Sequence, residues 1–220
     1  MKKYFEVLKK CPLFFGIEPD NLSRMLPCLG AKVVSFDKKY TVFTEGKPAK
    51  YIGIVLSGSV QTVANDYYGN RSIIATAAQS ELIGEDFACA DVDSIPVSVI
   101  ADEPCEVMFI ECSRILTPCS NACGFHSQMI YNIMKNLARK NLSFHERIEV
   151  TSKRTTRDKL LAYLTVRAKA AGSSSFDIPF DRQELADYLE VERSGLSAEI
   201  GKLKREGIID SNKNHFELFI

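Results

Sequence analysis

The stretch from Asp181 to the C-terminus, DRQELADYLEVERSGLSAEIGKLKREGIIDSNKNHFELFI, constrains this chain more than any other. Asp181 followed by Glu184 is a capping-box start for a helix. Leu185, Ala186 and Leu189 then fall on one inner helix face, and small Ala186 leaves room for a second helix to cross. Glu190-Val191-Glu192 is a tight turn with Val191 directed back to the core. A second helix runs from Arg193 to Glu206 with Leu196, Ile200 and Leu203 inward, and Gly207 stops it. Ile208-Ile209, the turn SNKN and HFELFI read as the strands of a hairpin. Two short helices, a tight turn and a hairpin make a winged helix-turn-helix. The second helix of that motif offers its first residues to base edges in a DNA major groove.

Upstream, TTRDKLLAYLTVRAKAA at 155–171 predicts a helix burying Leu160, Leu161, Leu164 and Ala168, stopped by Gly172 and the serines after it. FDIPF is a short extended piece. From Ala31 to Glu111 the texture is different. AKVVSF, YTVF, YIGIVLSGSVQTVA, RSIIATA, SVIA and CEVMFIE are short β-branched runs between Gly and Pro punctuation, the pattern of an all-β roll or sandwich. Residues 1–30 carry helical spacing at Phe5, Leu8, Leu22, Met25 and Leu26, with Asp20 as an N-cap. Thr117-Pro118 predicts the start of a long helix reaching about Lys153. Within it Ile130, Met134, Leu137, Asn141, Phe144 and Ile148 form a heptad seam. So narrow a stripe suits two helices packed together, with Asn141 fixing register; the alternative is a helix lying on its own β-domain.

The net charge is zero, so no global field draws the chain to nucleic acid. Locally, Lys153, Arg154, Arg157, Lys159, Arg167 and Lys169 face the single acid Asp158, either a DNA-facing basic surface or a solvated helix face. No run approaches the ~18 apolar residues of a spanning helix, and charges interrupt any leader-like segment near the N-terminus. A cytoplasmic protein with reduced thiols is expected, and the odd number of cysteines, seven, agrees. A metalloenzyme on such a roll needs histidines on its strands. His126, His145 and His215 all lie elsewhere, so no enzyme is expected.

RQELADYLEVERSGLSAEIGKLKREGII resembles the helix-turn-helix of the Crp–Fnr family of bacterial regulators, and YIGIVLSGSV with LIGEDF resembles its cyclic-nucleotide-binding β-roll. The resemblance covers the whole chain. It implies an α+β protein: a jelly-roll β-roll effector domain at 1–116, a dimerisation helix at 117–152 and a winged helix-turn-helix at 153–220. The implied partners are double-stranded DNA, a second copy of the chain, RNA polymerase and a small-molecule effector. Carried over position by position, Arg193 is the guanine-contacting arginine, Arg182 and Gln183 grip phosphate, and Ser194, Ser197 and Lys202 are further contacts. The family's glutamate and second arginine are replaced by Ser194 and Ala198, so base readout rests mainly on Arg193. The effector pocket maps to Gly84, Glu85, Val97 and Ser98. The Arg-Ser pair that holds a cyclic phosphate falls on Ile95 and Pro96, so no response to cyclic AMP is expected.

Cys112, Cys119, Cys123 and His126 cluster between roll and helix. The last three share a helix face, a spacing open to a metal or iron–sulfur centre, to redox sensing, or to plain packing on the seam. Cys11, Cys28, Cys89 and Cys105 carry no spacing signal. The alternative function is a ligand-binding or redox-sensing dimer whose C-terminal domain serves protein interaction.

Overall fold

A computed structural model describes residues 2–65, 67, 71–117 and 124–219. The chain divides into two compact units, Met1–Ala138 and Arg139–Ile220.

The first unit opens with helices α1 (Phe5–Lys10) and α2 (Pro19–Cys28). Pro19 occupies the first turn of α2 and Glu18 the N-cap position, so Asp20 lies inside the helix rather than capping it; the fixed φ of proline decides the start. The strands that follow among the described residues are β1 (Lys32–Phe36), β2 (Thr41–Phe43), β3 (Tyr51–Ser57), β4 (Val60–Asn65), β5 (Arg71–Ala77), β6 (Leu82–Ile83), β7 (Ser98–Ala101) and β8 (Cys105–Glu111). Helix α3 (Glu85–Cys89) lies between β6 and β7, and α4 (Cys112–Leu116) follows β8. The strands form two antiparallel sheets, ordered β1-β8-β3-β6 and β2-β7-β4-β5, the layout of a roll. β3 is apolar without alternation because both its faces are covered. Ile52, Ile54 and Leu56 pack towards the helices, and Val55 faces the roll interior with Val60, Ile83, Val99 and Val107. Gly58 turns β3 into β4 at φ +73°, where a Cβ would lie 2.5 Å from the Pro104 carbonyl oxygen.

Helix α5 (Gly124–Thr151) is 28 residues long and crosses the boundary between the units. Its expected start at Thr117-Pro118 falls largely outside the described residues. In the first unit Met129 and Ile133 are buried against the helical core. The second unit adds α6 (Thr156–Ala171), β9 (Ser175–Asp177), α7 (Arg182–Leu189), α8 (Arg193–Arg205), β10 (Ile209–Asn212) and β11 (His215–Leu218). Thr155 caps α6, and Gly172 ends it in the left-handed region. β10 and β11 form the hairpin, and β9 pairs on its far side. Leu160, Leu164, Leu185, Ala186, Leu189, Leu196, Ile200, Leu203 and Phe216 make one core, the three-helix-plus-wing arrangement expected from the sequence. No helix among the described residues is long and apolar enough to cross a membrane.

Candidate nucleic-acid interface

Local chemistry builds the first helix of the motif. Asp181 Oδ1 accepts from the Gln183 and Glu184 amides at 2.7 and 2.9 Å, and Glu184 Oε2 accepts from the Asp181 amide at 2.7 Å. The capping box is complete, and two of the amides that a phosphate would use are already engaged by it. Glu190 turns the chain in the left-handed region, and Lys159 Nζ donates to the Leu189 carbonyl at 3.0 Å, capping the C-terminal end of α7. α8 then buries Leu196, Ile200 and Leu203 and leaves Arg193, Ser194, Ser197 and Ala198 exposed.

Beside this face a groove of about 560 Å³ is lined by the start of α7, Arg193 and the β10–β11 turn with Lys213 and Asn214. The candidate residues take different positions around it. Arg193 is exposed at the first position of α8. Arg182 is turned inward: its guanidinium lies 4.8 Å from the Phe216 ring centroid and donates to Ser211 Oγ at 3.3 Å. Burial lowers the pKa of Arg182. Gln183 Nε2 donates along its own helix to Asp187 Oδ1 at 2.8 Å. Lys202 reaches Glu199 Oε2 at 3.3 Å and, nine residues after Arg193, points about 180° away from it around the helix. The structure brings in Lys213, which the sequence reading passed over. Its position at the tip of a predicted hairpin was the available signal, since wing tips project towards solvent.

The basic stretch ahead of the motif is partly spent within the fold. Arg157 bridges to Glu206 at 2.5 Å and Glu199 at 3.5 Å, and Lys159 caps α7. Lys153 and Arg154 remain exposed.

In the roll, Gly84 adopts φ +71°, a conformation that strains other residues, and a Cβ there would press on the Phe43 ring at 3.1 Å. Glu85 is fully buried, and its Oε1 accepts from Asn136 Nδ2 of α5 at 2.9 Å. Val97 is buried, while Ser98 Oγ accepts from the Glu45 amide at 3.3 Å. Ile95 is buried with Ala49 and Val97, against Phe43, Phe87 and Val92. Ile95 thus sits in an apolar cluster, while Pro96 beside it is exposed.

On α5, Met134, Phe144 and Ile148 are 60%, 50% and 64% exposed, and Asn141 is exposed beside them; Ile130 and Leu137 are half-buried. Of the cysteine cluster, Cys119 and Cys123 lie outside the described residues. His126 is buried, with Nε2 3.2 Å from the Arg114 carbonyl oxygen. No three potential metal ligands converge among the described residues. Cys112 instead lies 3.8 Å from Cys89, sulfur to sulfur.

Residues 33–120 match the cyclic nucleotide-binding domain family, and residues 158–219 match the Crp-like helix-turn-helix domain family. The chain is similar to a CRP-like cAMP-activated global transcriptional regulator of Mycobacterium tuberculosis, 29% identical over 80 residues, 36% of this chain and 35% of that protein. It thus spans only about a third of that relative's length. It is 23% identical to the transcriptional activator protein FnrA of Stutzerimonas stutzeri over 184 residues, 79% of this chain and 71% of that one. Among solved structures, the c-di-GMP responsive global regulator CLP of Xanthomonas campestris aligns at TM-score 0.62 and 18% identity, over 92% of this chain and 100% of that chain, a likeness of fold.

Proposed function

We propose that this chain, which belongs to the Crp–Fnr family of transcription regulators, works as a homodimer that binds a two-fold-symmetric operator through α8 of each protomer. The observation that carries this reading is the division of α8. One face is buried in the core of the second unit, and the other offers Arg193, Ser194 and Ser197 to solvent beside the Lys213 wing. Arg193 reads guanine through its planar two-donor edge, and Lys213, Lys153 and Arg154 supply phosphate contacts. Arg182 acts one step back, stacking on Phe216 and so holding the wing against α7.

The exposed apolar stripe of α5 supports self-association, since solvent contact along Met134, Phe144 and Ile148 costs free energy that a partner helix removes. The half-sites of such an operator lie about 34 Å apart, one helical turn of DNA, which is the spacing the two recognition helices have to match. The functional division is a sensor at 1–116, a dimer helix at 117–152 and a DNA head at 153–220, with RNA polymerase as the downstream partner. The effector is not cyclic AMP, because buried Ile95 and exposed Pro96 offer no cation to its phosphate.

A mobility shift on duplex from the protein's own promoter region tests the reading. Binding is expected to fall steeply with salt. Arg193→Ala is expected to weaken it by about 1–3 kcal/mol, roughly 5- to 150-fold. Unchanged affinity in that variant, or binding indifferent to salt, refutes the reading.

A further inference from the structure

Cys89 ends α3 and Cys112 begins α4, two helices that pack on each other, and their Sγ atoms lie 3.8 Å apart. We propose that Cys89 and Cys112 are a redox-modifiable dithiol, closed to a disulfide by hydroperoxides, whose closure is felt at the long helix through Glu85 and Asn136. The dithiol chemistry stands on this geometry alone; its effect on operator binding rests on the function proposed above.

A disulfide needs its sulfurs about 2.05 Å apart, so the pair must close by roughly 1.8 Å, a distance spanned by side-chain rotation with a small shift of a short helix. Cys112 is the anchored member. It is buried, and its amide donates to the Lys50 carbonyl oxygen at 3.0 Å. Cys89 is half-buried and sits on a helix of only five residues. The first residue of that helix is Glu85, fully buried and hydrogen-bonded to Asn136 of α5 at 2.9 Å. A pull on Cys89 therefore reaches α5 through one rigid turn of helix and one hydrogen bond. The 3.8 Å contact lets one sulfur, as thiolate, accept from the other as thiol, and either can be the donor.

One of the two, as thiolate, attacks one oxygen of a hydroperoxide. An S–O bond forms, the O–O bond breaks, and the alkoxide leaves as alcohol, or as water from hydrogen peroxide, after taking a proton. The second sulfur then attacks the sulfenic sulfur. The S–S bond forms, the S–O bond breaks, and hydroxide leaves as water with the second thiol's proton. Two thiols lose two electrons, and the peroxide gains them.

The test treats the full-length protein with hydrogen peroxide and maps its peptides by mass spectrometry without reduction. A peptide linking Cys89 to Cys112, two hydrogens lighter and released by dithiothreitol, is expected in the wild type and absent from Cys89→Ser. Amide exchange around Asn136 is expected to change on oxidation in the wild type and not in Cys89→Ser, with Cys89→Ala as a second variant should serine unsettle the fold. Duplex affinity is expected to shift by roughly 5-fold or more in the wild type only. Oxidation that leaves the two cysteines unlinked, or joins Cys112 to another cysteine, overturns the site. A linked protein with unchanged exchange around Asn136 overturns the coupling. A protein that links and changes exchange yet binds no duplex in either state refutes operator binding and leaves the dithiol standing.

Discussion

Arg182 and Arg193 belong to the same motif but have opposite surroundings. Arg182 stacks on Phe216 and bonds Ser211, whereas Arg193 meets solvent at the start of α8. Removing the first takes away a partly desolvated cation–π contact and a hydrogen bond. Arg182→Ala is expected to destabilise the second unit by about 1–2 kcal/mol, read as a lower melting temperature with no DNA present. Arg193→Ala, by contrast, is expected to leave melting within about 0.5 kcal/mol of wild type, because no core contact is lost. Equal melting of the two variants would show that Arg182 has no structural role. Both residues were legible as candidates from their place in the motif. Their difference was not, because it depends on Phe216, which only the returning hairpin brings to α7. Cys89 was illegible for the same reason: its partner Cys112 lies on a different helix, at no periodic spacing.

At the scale of elements, α5 exposes what a core helix would hide. Phe144 and Ile148 are half or more exposed, while Val150 two residues on is fully buried. A charge placed on this stripe would be solvated in a single chain and buried in a pair. Phe144→Glu and Ile148→Glu are therefore expected to convert a dimer to monomers in sedimentation velocity while leaving the melting of the second unit little changed. A variant that keeps the wild-type mass in solution would place the interface elsewhere. The capping box of α7, the glycine stop of α6 and the β-branched strands were readable because each is a local pattern with a local cause. β6, only two residues long, carries no periodicity of its own and exists because it pairs with β3. Neither does Asp20 start α2, since Pro19 sets that turn first.

At the scale of the molecule, each unit buries side chains of its own. The roll and its helices bury one set of side chains, and Val150 with the winged unit buries another. Two such units are expected to unfold as more than one cooperative event. Calorimetry is expected to resolve two transitions, with duplex DNA raising the one that belongs to the second unit. A single transition with matching calorimetric and van't Hoff enthalpies would refute that independence. The order of elements and the winged motif were determined by the sequence alone, because periodicity, caps and residue identity act over a few neighbours. Which arginine turns inward, which cysteines meet, and how Ile95 joins an apolar cluster with Phe43 and Phe87 were decided only in three dimensions. Those contacts join residues far apart along the chain, and nothing in their spacing records the approach that packing imposes.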